Sequence, residues 1–415
     1  MDGNNQQFQQ QAQPQGGPAN QYYQQPRPQY GQYAQQSQPQ PQYGQYTQQG
    51  QPQYTRQPQY YQTMPGQGFD PFAMPGYYQQ PAPFDVKGAK KHFSGIGLSY
   101  FLFGVIATVV QIIAYFVIDA LNPGLWDNYL FTLLVGLLPM YLFGAPVCVL
   151  LMKKIPSEKP ERGPWGFGRF IAGLIIAVGL MYIGSFIGTY IGLLIESFAP
   201  EATASTNAVQ EMVFSGNTLI NVVFMVFVGP VVEELLFRKL LCDRLRIYGE
   251  AVTVWISGLM FGLFHGNLTQ FVYAFLLGCL LAYVYLKTGR ITVTIAYHML
   301  LNFIGSVLPL LALSAADIDG MQEILSSGDA DLVTQFVEDN IESFAIYVLY
   351  ALSIFGFMII GLLLLIIFAA CGKIRFRPGR YTLPSGKRFG IVIINVGMIL
   401  FILSEIAVIL INMFA

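Results

Sequence analysis

Leu219-Ile220-Asn221-Val222-Val223-Phe224-Met225-Val226-Phe227-Val228-Gly229-Pro230-Val231-Val232-Glu233-Glu234-Leu235-Leu236-Phe237-Arg238 is long and apolar, yet it ends on two adjacent acids and a base. A membrane crossing needs about 20 predominantly apolar residues. An ionisable side chain at the centre of a crossing costs about 2.5 to 3.5 kcal/mol even on the lenient insertion scale, so such groups face a bundle interior or a wet cavity and mark functional sites. Two further apolar segments carry polar marks, Phe261-Gly262-Leu263-Phe264-His265 and His298-Met299-Leu300-Leu301-Asn302, and they hold two of the chain's 3 histidines. Glutamate with histidine is the pairing that proton transfer or metal-assisted hydrolysis requires.

Composition points to the same class. Of 415 residues, 53% are hydrophobic and 11% charged, against about 25% charged in soluble domains. The reading is all-α, a polytopic helical membrane bundle of about 8–9 transmembrane helices. Apolar spans fall at 98–118, 130–152, 170–195, 219–241, 251–266, 268–286, 291–313, 345–371 and 390–413. All 22 Lys and Arg residues lie in the N-terminal tail or in alternate connections, among them Lys153, Lys154, Arg244, Arg246, Lys287, Arg375 and Arg377. The segment 314–344 carries acids from Asp317 to Glu342 and no base. By the positive-inside rule, this asymmetry puts the N-terminus in the cytoplasm and the C-terminus outside after nine crossings. A re-entrant hairpin over 251–286 would preserve that sidedness.

Residues 1–90 are a different kind of chain, separate from a transmembrane domain at 91–415. They are rich in Gln, Pro, Tyr and Gly, and Pro28-Gln29-Tyr30-Gly31-Gln32-Tyr33 recurs as Pro41-Gln42-Tyr43-Gly44-Gln45-Tyr46. Such a segment buries too little apolar surface to offset its ordering entropy. It reads as a disordered cytoplasmic tail, without the basic start and apolar run of a signal peptide. The four cysteines, Cys148, Cys242, Cys279 and Cys371, lie in or beside apolar spans without metal-site spacing and read as packing residues.

Glu234 and Arg238, at i,i+4, share a helix face and can pair. Glu233 is rotated about 100° away, so one acid can be held by the arginine while the other faces a cavity. Read singly, each group has a plain structural account: an intrahelical salt bridge, a hydrogen-bonded core histidine, an asparagine acting as interhelical glue. Their joint occurrence supplies a base, an electrostatic stabiliser and candidate metal ligands.

In this order the stretches resemble the signature of the CPBP family of intramembrane proteases. That family includes the type II CAAX prenyl endopeptidases, lysostaphin-resistance-like proteins and proteins linked to bacteriocin processing or self-immunity. Its motifs, E-E-x-x-x-R, F-x-x-x-H and H-x-x-x-[ND], are met by Glu233, Glu234 and Arg238, by Phe261 and His265, and by His298 and Asn302. The likeness covers about 165–315. It implies a helical membrane endopeptidase with its site opening toward the cytoplasm. By the same resemblance Glu233 would activate water, and Glu234 and Arg238 would shape and charge the site. His265 would position water or stabilise the intermediate, and His298 and Asn302 would complete the oxyanion and water shell.

With no H-E-x-x-H motif, two versions stay open: zinc held by His265 and His298 with a glutamate, or a metal-free glutamate-driven hydrolase. The partners expected are the lipid bilayer and a membrane-associated peptide or protein substrate, with no nucleic acid. The location expected is a bacterial plasma membrane. A non-catalytic immunity or scaffold protein and an ion-coupled transporter are the competing functions. Depth strains the scheme. At ~1.5 Å per residue, Glu233 lies about 15 Å from the helix end near Asp243, His298 about 12 Å from Arg290, and His265 about 22 Å from Glu250. Residues 243–253 are therefore expected to lie along the interface, with the fifth span starting later.

Overall fold

The computed structural model describes residues 84–204, 218–315 and 329–414. Their apolar stretches are all helical, because a backbone in hydrocarbon must satisfy its own N–H and C=O groups. In chain order the main helices are α1 (Val86–Leu121), α2 (Tyr129–Met152), α3 (Phe167–Phe198), α4 (Leu219–Tyr248) and α5 (Glu250–Phe264). They continue as α6 (Leu268–Thr288), α7 (Ile291–Leu311), α8 (Ala330–Asp339), α9 (Ile341–Ala370) and α10 (Val396–Phe414). Among the described residues there is no strand, and 8 helices are long and apolar enough to cross a membrane. The architecture is the expected polytopic helical bundle.

The tail lies outside the described residues as far as residue 83. Asp85 caps α1 by accepting a hydrogen bond from the Gly88 N–H at 2.8 Å. Residues 86–90, which the sequence reading left in the tail, are therefore helical. The last span is also divided: Asn395 accepts from the Met398 N–H at 3.1 Å, which starts α10 afresh at Val396.

Prolines shape three of the helices. In α2, α4 and α7 a wide π-helical turn, Met140–Gly144, Val222–Val228 and Phe303–Val307, is followed two residues later by Pro146, Pro230 and Pro309. In each case the residue before the proline donates its N–H five residues back: Ala145 to Met140, Gly229 to Phe224, Leu308 to Phe303. Proline has no N–H, and its ring crowds the carbonyl four residues earlier, so the turn before it widens. Wide turns of this kind are rare and recur at functional sites.

Helices α5 and α6 form an antiparallel hairpin that packs through α6 against α3. Gly258 of α5 and Gly278 of α6 face each other, Gly184 of α3 lies against the Tyr273 backbone and Gly188 against Thr269. Small residues let helices in lipid approach to backbone contact. At one end of the bundle the basic connections meet. Arg246 pairs with Glu158 and Lys287 with Glu250, while Arg377 reaches Glu161 at 3.4 Å. The charge alternation along the sequence thus becomes one basic end in space. At the other end the Thr203 N–H donates to the Met413 carbonyl at 2.7 Å, and Asn412 Nδ2 donates to the Gly266 carbonyl at 2.8 Å.

The interfacial segment expected at 243–253 is not found. The helix runs on through Leu245, a short turn covers Arg246–Tyr248, and α5 begins at Glu250. Gly249, with φ of 105°, reverses the chain in one residue. Glu250 can then stay buried because Lys287 and the Arg377 N–H both bind its Oε2.

Candidate active site

Glu234 and Arg238 sit one turn apart on α4, both with 0% side-chain exposure, their Oε2 and Nε 3.2 Å apart. The approach lacks hydrogen-bond alignment, and none of the three guanidinium nitrogens has a hydrogen-bond acceptor among the described residues. The arginine instead lies over the Phe261 ring, Cζ 4.6 Å from the centroid. In a dry site, ion pair and cation–π contact together hold the charge. The other oxygen of Glu234, Oε1, accepts from His298 Nδ1 at 3.0 Å. Glu234 is therefore engaged on both sides.

Glu233 points elsewhere. Its side chain is 25% exposed and lines a cavity of about 440 Å³. Its Oε2 has no hydrogen bond and stands 3.7 Å from His298 Nε2. His265, His298 and Asn302 line the same cavity, with Phe261 forming part of the wall. Apolar side chains, including Leu133, Leu137, Met181 and Leu277, line much of the remainder.

His265 closes the C-terminal end of α5. Side chains on a helix lean toward the N-terminus, so its ring falls back over Phe261, with centroids 4.8 Å apart. His298 meets the same phenylalanine at 5.7 Å. Phe261 is the hub that Arg238, His265 and His298 all touch. The structure thus brings all six motif residues around one phenylalanine and one cavity, with Glu234 and Arg238 behind the wall and the other four on it.

Asn302 reports on the α4 backbone. In a regular helix the Gly229 N–H would bond the Met225 carbonyl; in the wide turn it bonds Phe224 instead. The released Met225 carbonyl accepts from Asn302 Nδ2 at 2.7 Å. Sequence reasoning missed this partner, although Pro230, five residues after Met225, was its signal.

Hydrogen-bond chemistry assigns the histidine tautomers. A carbonyl only accepts, so His265 Nδ1, 2.7 Å from the Phe261 carbonyl, carries the proton. A carboxylate likewise makes His298 Nδ1 a donor. In their neutral forms both rings present Nε2 as an acceptor. That suits a metal ligand, but among the described residues no three His, Cys, Asp or Glu side chains gather closely enough to hold an ion. His298 Nε2 faces Glu233 Oε2 at 3.7 Å. The expected zinc set of His265 and His298 with a glutamate therefore does not fit the arrangement, and no step below uses one.

Similarity to known proteins falls on the same part of the chain. The family described as Rce1-like, type II CAAX prenyl endopeptidase Rce1-like, matches residues 215–304, which hold all three motifs. The match supports the likeness to the CPBP family that the three motifs carry. Among its relatives is a Bacillus subtilis protein described as a membrane peptidase, YdiL, 27% identical over 170 residues, 38% of this chain and 64% of that protein. Another is the membrane-embedded CAAX protease MroQ of Staphylococcus aureus, 29% identical over 105 residues, 24% of this chain and 42% of that protein. The chain thus covers less than two thirds of the length of either relative. No solved structure matches it.

Proposed function

We propose that this protein is a CPBP-type intramembrane endopeptidase in which Glu233 activates water. The observation that carries the reading is the divided glutamate pair. Glu234 is bound on one oxygen by His298 and paired on the other with Arg238, while Glu233 lines the cavity with a partly exposed side chain and an Oε2 that no described residue holds, 3.7 Å from His298 Nε2. A carboxylate so placed can take a proton from a water in the cavity that it and His298 Nε2 both contact. The hydroxide formed adds to the carbonyl carbon of a peptide bond. The tetrahedral intermediate then collapses, Glu233 returns the proton to the leaving amine, and an acid and an amine depart. Glu234 orients His298 in this scheme, and Arg238 pairs with the other oxygen of Glu234.

The substrate would be a membrane-associated peptide or protein. A mostly apolar cavity accommodates an apolar stretch of chain, and the relatives, described as a membrane peptidase and a CAAX protease, point the same way. The basic end of the bundle would face the cytoplasm, with the protein in the cell membrane. The test is substrate trapping: Glu233→Gln protein in its native membrane should retain a peptide or protein, identified by mass spectrometry, that purified wild-type protein cleaves. Retention of the same material without cleavage by wild-type protein would replace the protease reading with a scaffold or immunity role.

A further inference from the structure

We propose that the Tyr273 hydroxyl is the donor that stabilises the oxyanion of the tetrahedral intermediate, an inference that rests on the hydrolytic reading above. The motif residues leave this role short of donors. His265 and His298 each commit their Nδ1 proton to a protein acceptor, so in the neutral form neither offers an N–H through Nε2. Asn302 has given one amide N–H to the Met225 carbonyl. Arg238 is sealed behind Phe261, with its whole side chain inaccessible. Glu233 can only accept while it is the base. An oxyanion forming in this cavity therefore needs another neutral donor.

Four tyrosines line the cavity: Tyr141, Tyr182, Tyr273 and Tyr350. Tyr182 and Tyr350 are bonded to each other at 3.2 Å, and Tyr182 also meets the Ile304 carbonyl at 3.4 Å. Tyr141 and Tyr273 have no hydrogen-bond partner among the described residues. A tyrosine hydroxyl out of bulk water ordinarily finds one, so both are open toward a ligand.

Rigidity separates the two. Tyr141 stands in the wide turn of α2. Tyr273 is on the regular helix α6, its backbone pressed against Gly184 of α3, and its ring packs against two of the bundle's hydrophobic clusters. It also belongs to the same hairpin as His265. A donor on so fixed an element needs no reorganisation as charge develops, the condition under which such a group lowers a barrier. Gly184 then has a purpose beyond helix approach: any side chain there would displace Tyr273.

The test compares wild-type, Tyr273→Phe, Tyr141→Phe and Glu233→Gln proteins. The probes are an internally quenched apolar peptide and a phosphinic peptide of the same sequence, whose tetrahedral oxyanion imitates the intermediate. Tyr273→Phe should lose about 10²-fold in kcat with KM changed by less than roughly twofold. Its affinity for the phosphinic peptide should fall by a similar factor, and its affinity for the uncleaved amide should not. Equal phosphinic-peptide affinity in wild-type and Tyr273→Phe proteins, absence of binding included, overturns the proposal. So does a loss confined to KM, or an equal loss in Tyr141→Phe. Activity retained by Glu233→Gln beside a Tyr273→Phe defect would strike the Glu233 reading alone, and the reverse pattern would strike only the tyrosine.

Discussion

Two neighbouring carboxylates meet opposite surroundings in this site, and substitution should separate them. Glu233 has a cavity before it and an unbonded oxygen; Glu234 is closed in by His298 and Arg238. Glu233→Gln keeps size and hydrogen bonding but removes the base, so peptide cleavage should fall by roughly 10²- to 10⁴-fold with the melting temperature unchanged. Glu234→Ala strands the sealed Arg238 charge and should destabilise the fold by about 3–5 kcal/mol, read as a lower melting temperature. Arg238→Lys should fall between them in activity, because an ammonium lacks the planar face that lies on Phe261. Equal melting temperatures for the Glu233 and Glu234 variants would contradict this division of labour.

Helix α4 joins local sequence to site geometry through a proline. Pro230 widens the turn before it, the Met225 carbonyl leaves the helical ladder, and Asn302 binds it across the bundle. Pro230→Ala restores an N–H and lets the ladder close. The Met225 carbonyl should then turn back to Gly229 and release Asn302. Activity should drop by about 10²-fold, the scale of a misplaced catalytic group. Circular dichroism should show helix content unchanged or raised. Asn302→Ala should cost a similar 10²- to 10³-fold if the asparagine helps hold the oxyanion. Full activity in Pro230→Ala protein would show that the wide turn has no part in the site.

For the molecule as a whole, the charge pattern carries the topology prediction. Cysteines introduced at Ser326, outside the described residues, and at Ser385, beside the basic end, should label from opposite sides of the membrane with an impermeant maleimide. Labelling of both from one side would remove the alternating arrangement. Residues 1–83 are expected to be dispensable for cleavage, because a low-complexity segment supplies no rigid framework for a site. Purified protein lacking them should cleave at the wild-type rate, and loss of cleavage with an intact fold would refute this.

Helix class and approximate spans follow from the sequence alone, because about 20 consecutive apolar residues leave the backbone no alternative in lipid. The motif residues were legible for a related reason: ionisable groups are expensive in hydrocarbon, so Glu233, Glu234, Arg238, His265 and His298 stand out against Leu, Val and Phe. The boundaries were less legible. A capping Asp85, a single left-handed Gly249 and the dividing Asn395 moved the starts of α1, α5 and α10, each through one backbone hydrogen bond or dihedral angle. Only the tertiary structure decided which glutamate faces the cavity, that Phe261 is shared by Arg238 and both histidines, and that Tyr273 has no hydrogen-bond partner among the described residues. Those outcomes depend on how α3, α4, α5, α6 and α7 approach one another. Glycine contacts and proline-widened turns set that approach across residues far apart in the chain, where no local periodicity records it.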